Sequence, residues 1–365
     1  MADAAMPPHA ARRGFFGRFN LEVRSHMPMG RQVLVVLAGI LLGLFLSALL
    51  LVASGVRPSG LLNEFVVVIF SSQRNVAAVL SYAAPLTIVG LSAALAFKAR
   101  FWNIGLEGQL IFGAIGATLV ANHDIGPPSL RLVLMALAAI LAGMLWIALP
   151  LLLKVRLQVN EIISTLLMNY VAFNFLLHLL YGSWKDPQSA FPNSKLFEDA
   201  ERLIPIGWQN LNLSVPLAVL LVLACGWLLG ASRYGFLLNF VYANARMARS
   251  LGVGIVSLTV LFALASGGLS GFGGFVISTG IESRLTQSFF VGYGFSGILI
   301  AFLARNNPFA VAIFAILIAI LMVAGQSLQV FYQIPFAMVQ LIQAIIVICV
   351  AASEFFIHYR LRMVE

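Results

Sequence analysis

The chain has 365 residues, of which 61% are hydrophobic and only 10% charged, with 22 Lys and Arg against 13 Asp and Glu and a formal net charge of +9. Soluble globular domains carry about a quarter charged residues, so this composition excludes one and requires an integral membrane protein. The cationic surplus does not mark a nucleic-acid binder, because the basic residues stand singly or in pairs between apolar runs and are explained by orientation in a bilayer.

Residues 1–32 form a polar, basic tail in which Phe15, Phe16 and Phe19 accompany Arg12, Arg13 and Arg18. Such a tail can lie on lipid as a short amphipathic helix or stay disordered. Val33 to Ala53 follows as a first apolar run, longer than the ~7–15 residues of a cleavable signal core, and is read as a retained span. Further runs occur at 76–97, 103–121, 130–153, 162–182, 214–231, 256–277, 290–304, 309–325 and 338–357. The expected architecture is therefore an all-α polytopic membrane protein of about ten transmembrane helices. Its membrane domain covers 33–357, and a short tail at 358–365 lies on the same side as the N-terminus. With both termini cytoplasmic, the inner segments hold fifteen Lys and Arg and the outer segments seven, which obeys the positive-inside rule. The eighth run is short and contains Gly292, Gly294 and Gly297, so it is expected to be broken or re-entrant.

The stretch FWNIGLEGQLIFGAIGAT at 101–118 is unusually polar and glycine-rich. At helical spacing, Gly105, Gly108, Gln109, Phe112, Gly113, Gly116 and Ala117 form one small-residue face, and Asn103, Glu107, Ala114 and Thr118 fall opposite. Small faces let membrane helices approach closely. A carboxylate in a span is costly unless paired or wet, so Glu107 is either a structural anchor or part of a pathway.

Two loops are long. The outer one, about 183–213, mixes Trp184, Asp186, Glu198, Asp199, Glu201 and Trp208 with prolines, and suits either a docking surface or a solvated connector. The inner one, about 232–255, contains a helix of about two turns between a capping Asn244 and Gly252, spanning Ala245, Arg246, Met247, Ala248, Arg249, Ser250 and Leu251. Met247 and Leu251 share an apolar face, with Arg246 and Arg249 pointing elsewhere. A helix this short needs a partner surface, either another protein's groove or anionic headgroups.

Polar groups inside the spans are few. Tyr170, Asn174 and His178 repeat every four residues along the fifth span, with Thr165 and Asn169 beside them. Gln326, Gln329, Gln333, Gln340 and Gln343 flank the turn between the last two spans. Thr165, Asn169, Tyr170, Asn174, His178, Gln329 and Gln333 are candidate pathway-lining residues, although intramembrane amides also serve as helix-to-helix contacts. Cys225 and Cys349 sit in apolar runs and read as small hydrophobes, and no metal site is expected. The sequence contains no GxxxxGK[ST] loop, so it does not bind ATP in the P-loop manner and energy must come from a partner; HExxH, GxSxG and CxxC do not occur either.

FWNIGLEGQLIFGAIGA, VNEIISTLLMNYVAFNF at 159–175, SGGLSGFGGF at 266–275 and GYGFSGILIAFLARNNP at 292–308 resemble the permease subunits of ABC importers of the ribose and branched-chain amino acid type. The resemblance is greatest to the purine-nucleoside branch and runs from about Ala77 to Ala352. It implies a type II-like importer permease in a bacterial cytoplasmic (inner) membrane, with no catalytic residue and no cofactor of its own. Its implied partners are an ABC ATPase holding ATP and Mg, a second permease (a paralogue or this chain itself) and an extracytoplasmic solute-binding protein. By the same resemblance, Asn244 to Gly252 would be the coupling helix that fits into the ATPase. Two departures accompany it: Tyr242, Ala243, Asn244, Ala245 and Arg246 replace a Gly-x-Asn-Pro type start, and Ala304, Arg305 and Asn306 stand where many relatives keep glycines. The implied function is passage of a nucleoside. The alternatives are ribose or another simple sugar, or an ion-coupled secondary carrier.

Overall fold

The computed structural model describes residues 19–24, 27–62, 67–209, 211–289 and 292–363. The tail with Arg12, Arg13, Phe15, Phe16 and Arg18 lies outside the described residues. In chain order the elements are β1 (Phe19–Val23), α1 (Met29–Ala53), α2 (Pro58–Leu62), α3 (Val68–Ser71), α4 (Gln73–Lys98), α5 (Leu106–Asn122), α6 (Pro128–Leu157), α7 (Glu161–Tyr181), α8 (Ser214–Gly230), α9 (Arg233–Ala243), α10 (Ala245–Ser250), α11 (Ile255–Ile277), α12 (Tyr293–Leu303), α13 (Pro308–Tyr332), α14 (Phe336–His358) and β2 (Tyr359–Met363).

Helix starts follow local chemistry. Asn160 caps α7 by accepting from the Ile162 amide at 2.9 Å, Ser232 caps α9 from Gly235 at 3.0 Å, and Asn307 caps α13 from Phe309 at 3.0 Å. Proline at the first turn starts α6 and α13, where its missing N–H is not needed. Among the described residues, seven helices are long and apolar enough to cross a bilayer, or eight when α8 and α9, bent by 67°, are taken as one broken span. The other two of the ten apolar runs form α5 and α12, of 17 and 11 residues. At 1.5 Å per residue these reach ~25 and ~16 Å, each short of a ~30 Å hydrocarbon core.

The chain divides into two compact units, one from the described residues of Met1–Val56 and Gln340–Glu365, the other Arg57–Val339. In the first, α1 lies against α14 through Gly39 and Gly43: a Cβ added to Gly43 would come 2.8 Å from the Ile346 Cα. The same unit holds a short two-stranded ribbon. Strands β1 and β2 pair antiparallel from Phe19 opposite Met363 to Val23 opposite Tyr359. The all-α architecture expected of the membrane domain stands beside this short ribbon; FNLEV and YRLRM both alternate apolar and polar residues, the period of a strand.

The second unit is built around α4, whose residues from Ala83 to Phe97 are all buried. Around it, α5, α6 and α11 meet along glycines. Gly113 of α5 faces the Gly271 backbone, Gly143 of α6 faces Gly267 and Gly271, and Gly274 faces Leu110 and Ala114. A Cβ on Gly116 would lie 2.8 Å from the Ala138 carbonyl oxygen and 2.9 Å from the Ala142 Cβ. The small-residue seam expected from the sequence is thus spread over two neighbouring helices, and backbone contact replaces side-chain interdigitation.

Gly271→Val would drive a branched side chain into the Ala139 and Gly143 backbones. It is expected to destabilise by about 1–3 kcal/mol or more, read as a lower unfolding midpoint of the detergent-solubilised protein. Gly230→Ala, at a helical position with nothing within 4 Å, should be neutral or stabilising by less than about 1 kcal/mol in the same measurement.

Candidate functional site

The link from α4 to α5 re-enters the protein without helical hydrogen bonds, so its backbone groups need side-chain partners. Asn103 stands in this link, preceding α5, and not on the helix face where periodicity put it. From there its amide pairs with that of Gln109 in both directions, at 3.0 and 2.9 Å, and also donates to Ser266 Oγ of α11 at 3.1 Å. Thr165 Oγ1 accepts from the Ile104 amide at 3.2 Å, and Asn169 accepts from the Gly108 amide at 2.8 Å while donating to the Ile104 carbonyl at 3.0 Å. Gly105 and Gly108 permit this approach: a Cβ on either would stand 3.0 Å from an α7 side-chain atom, of Thr165 and Asn169 respectively.

Glu107, in the first turn of α5, is 1% exposed. Its Oε2 accepts from the Gly294 amide at 2.5 Å, so the carboxylate lies at the start of α12. Here a negative group meets free N–H donors and the positive end of a helix dipole. Its Oε1 is buried with no hydrogen-bond partner among the described residues. Gly292 opens α12 with φ of +80°, and a Cβ on Gly294 would lie 2.7 Å from the Glu107 Cα, so both positions call for glycine. Of the two roles left open by the sequence, this geometry gives Glu107 that of an anchor joining the two short helices. The far end of α12 is held by Phe302, whose ring lies 5.7 Å from Trp102 and 5.2 Å from Phe97.

Helix α7 has two polar sides. Thr165 and Asn169 are buried and engaged as above, whereas Tyr170, Asn174 and His178 lie on its uncovered face. Sequence spacing grouped all five; burial separates them. Gln326 and Gln329 belong to the last turns of α13, Gln333 closes it with φ of +55°, and all three are exposed. Gln326 donates to the Tyr82 hydroxyl at 2.9 Å.

On the face where α4 ends and α7 begins, α9 carries the short helix α10. Asn244 caps it by accepting from the Met247 amide at 3.1 Å, and Gly252 follows with φ of +79°. Ala248 is buried, Met247 and Leu251 are 53% and 65% exposed, and Arg246 and Arg249 are exposed. The helix therefore presents two apolar knobs and two cations outward from a fixed base.

At the opposite end, the segment 183–213 is folded onto the end of α11. The Ser194 and Phe197 amides donate to the Leu285 and Ser283 carbonyls at 2.9 Å each, and Phe197 and Leu203 are buried. Arg131 of α6 pins it, with Asp124 at 2.8 Å, Glu201 at 3.0 Å and Glu198 at 3.7 Å. An open cavity of about 590 Å³ lies beside it, lined by Phe173, Phe191, Asn193, Glu282, Arg284 and Gln287. Among the described residues no group of three His, Cys, Asp or Glu could hold a metal ion.

Residues 75–351 match the family model described as branched-chain amino acid transport system / permease component. The chain is similar to the glucose ABC transporter permease protein TsgB13 of Haloferax volcanii, with 34% identity over 93% of this chain and 91% of that protein. It is also similar to the guanosine ABC transporter permease protein NupP of Bacillus subtilis, with 29% identity over 88% of this chain and 94% of the relative. A second guanosine permease protein of that organism, NupQ, matches at 25% over 71% and 85%. No solved structure matches.

Glu107→Leu leaves the Gly294 amide buried without an acceptor and is expected to lower stability by about 1–3 kcal/mol. Glu107→Gln keeps an acceptor and should cost less. Thermal unfolding of the purified protein in detergent ranks the two, and an equal effect would remove the carboxylate from its anchoring role.

Proposed function

The chain belongs to the permease-component family of branched-chain amino acid transport systems, and from that premise we propose that it is the membrane subunit of an ABC importer for nucleosides, moved by a separate ATPase seated on α10. The observation that carries this reading is α10 itself: six residues, capped by Asn244, with Met247 and Leu251 uncovered. An isolated helix of that length is unstable, and two exposed apolar knobs with flanking cations fit a groove on a partner. The residues from Asn244 to Gly252 form the coupling element.

In this reading the chain makes ten crossings, with α5 and α12 as the two short ones, and keeps both termini and α10 in the cytoplasm. Orientation rests on the fifteen-to-seven distribution of cations. The membrane is a bacterial cytoplasmic membrane. ATP and Mg belong to the partner ATPase. The second permease is a paralogue, by analogy with NupP and NupQ, two guanosine permease proteins of one organism. A solute-binding protein delivers cargo to the outer end, where the 590 Å³ cavity offers aromatic and amide groups.

A nucleoside is neutral and needs aromatic faces for its base and amides or hydroxyls for its ribose. The uncovered face of α7 supplies Tyr170, Asn174 and His178, and the exposed Gln329 and Gln333 are further candidates. ATP-driven closure of the ATPases moves α10, and the permease pair changes the side to which its path opens. Glucose is the second reading, favoured by the 34% identity to a glucose permease protein.

Co-expression with the neighbouring transporter subunits, followed by ATPase and uptake assays in liposomes with guanosine and with glucose, tests both. Guanosine is expected to stimulate hydrolysis and to be accumulated; stimulation by glucose alone overturns the nucleoside assignment. Charge reversal at Arg246 and Arg249 should lower uptake by about tenfold or more while leaving membrane insertion intact. Undiminished uptake would place the ATPase contact elsewhere.

A further inference from the structure

The turn that leaves α4 grips two separate parts of the α10-bearing face. On one side, Lys98 Nζ donates to Asn239 Oδ1 of α9 at 2.8 Å, and the Arg100 guanidinium donates to the Tyr242 carbonyl at 2.6 Å. Tyr242 lies in the last turn of α9, two residues before the Asn244 cap of α10. On the other side, the Arg100 carbonyl accepts from Lys154 Nζ at 3.4 Å, and Lys154 forms an ion pair with Glu161, the first residue of α7. Glu161 Oε1 also accepts from the Trp102 amide at 3.5 Å, and Lys154 stands 5.2 Å over the Phe101 ring. The Ala99 carbonyl accepts from Thr259 Oγ1 of α11 at 3.1 Å.

Arg100 holds φ at +56°. That left-handed conformation costs a residue with a Cβ roughly 1–2 kcal/mol, and glycine would make the same turn without it. From this strained backbone the Arg100 side chain reaches the Tyr242 carbonyl beneath α10. Outside this turn, α9 is held to α8 through the tight Gly235 approach to Leu228 and Leu229.

We infer that Lys98 and Arg100 are positioning residues that pass displacement of α10 through Lys154 and Glu161 to α7, the helix whose uncovered face carries Tyr170, Asn174 and His178. The inference rests on the reading of α10 as the ATPase contact. A push on α10 moves the Tyr242 carbonyl, the guanidinium follows it, and the rigid turn 99–102 shifts the Lys154–Glu161 pair at the foot of α7.

The test uses the whole complex purified with its ATPase and second permease, reconstituted with the binding protein, and reads solute accumulated per ATP hydrolysed. Arg100→Gly keeps the turn and removes the grip; it is expected to lower that ratio by roughly five- to tenfold while the ATPase still co-purifies. Arg100→Lys returns a donor toward the Tyr242 carbonyl and should recover most of the loss, and Lys98→Ala should deepen the Arg100→Gly effect. An unchanged ratio in Arg100→Gly, or failure of Arg100→Lys to recover it, overturns the relay. Loss of the ATPase from the Arg100→Gly complex overturns it too, since the contact would then serve assembly. If charge reversal at Arg246 and Arg249 is silent in the same assay, it is the seat of the ATPase on α10 that fails.

Discussion

A single buried carboxylate, Glu107, ties the starts of the two short helices α5 and α12 together. Lipid offers no hydrogen bonds, so a helix can begin inside the membrane only where protein supplies acceptors for its first amides. Glu107 does this for α12 through the Gly294 amide, while Asn103, Thr165 and Asn169 satisfy the turn that leads into α5. Two helices too short to span by themselves therefore start next to each other. The absence of side chains at Gly105, Gly108 and Gly294 is the geometric condition, because a Cβ at each would meet the groups that make these bonds.

With the charge confined to that junction, the remaining ionic contacts lie toward the ends of the helices. Arg131 with Asp124, Glu198 and Glu201 fastens the segment 183–213 at one end, and Lys154 with Glu161 fastens α6 to α7 at the other. Exposed ion pairs contribute little to stability, but Arg131 and Glu201 are nearly shielded from solvent, and Glu201 also accepts from the Glu198 amide in a reciprocal cap. The segment is thus fastened to the helices, with its own Phe197 and Leu203 buried.

The apolar runs were legible because the bilayer sets their length: the run at 130–153 became α6 and that at 162–182 became α7, each within a few residues. The irregular eighth run was legible through Gly292, Gly294 and Gly297. The capped α10 was legible because Asn and Gly mark helix ends by local chemistry. Burial on α7 was not. Thr165 and Asn169 differ from Tyr170 and Asn174 only in which neighbour covers them, and that neighbour is a turn some 60 residues earlier. The Gly39 and Gly43 contact with α14 did carry a signal, a GxxxG spacing in the first span, which hydropathy obscured. Pairing of β1 with β2 joins residues at the two ends of the chain, and only short alternating runs announced it.

Helix α7 gathers the consequences. Its buried side supports the turn that lets α5 begin, its first residue takes part in the ion pair with Lys154, and its uncovered side carries a tyrosine, an amide and an imidazole. On that face Asn174 donates to the Tyr170 carbonyl at 2.8 Å, so part of its polarity is satisfied within the helix and the surface is only weakly demanding of a ligand. Weak demand would suit the proposed route for a neutral solute, since a tight site along it would hold cargo that has to leave. A fixed charge on that face would instead favour ions. Among the described residues the buried Glu107 carboxylate is taken up by the start of α12, and the uncovered face of α7 from Tyr170 to His178 carries no carboxylate.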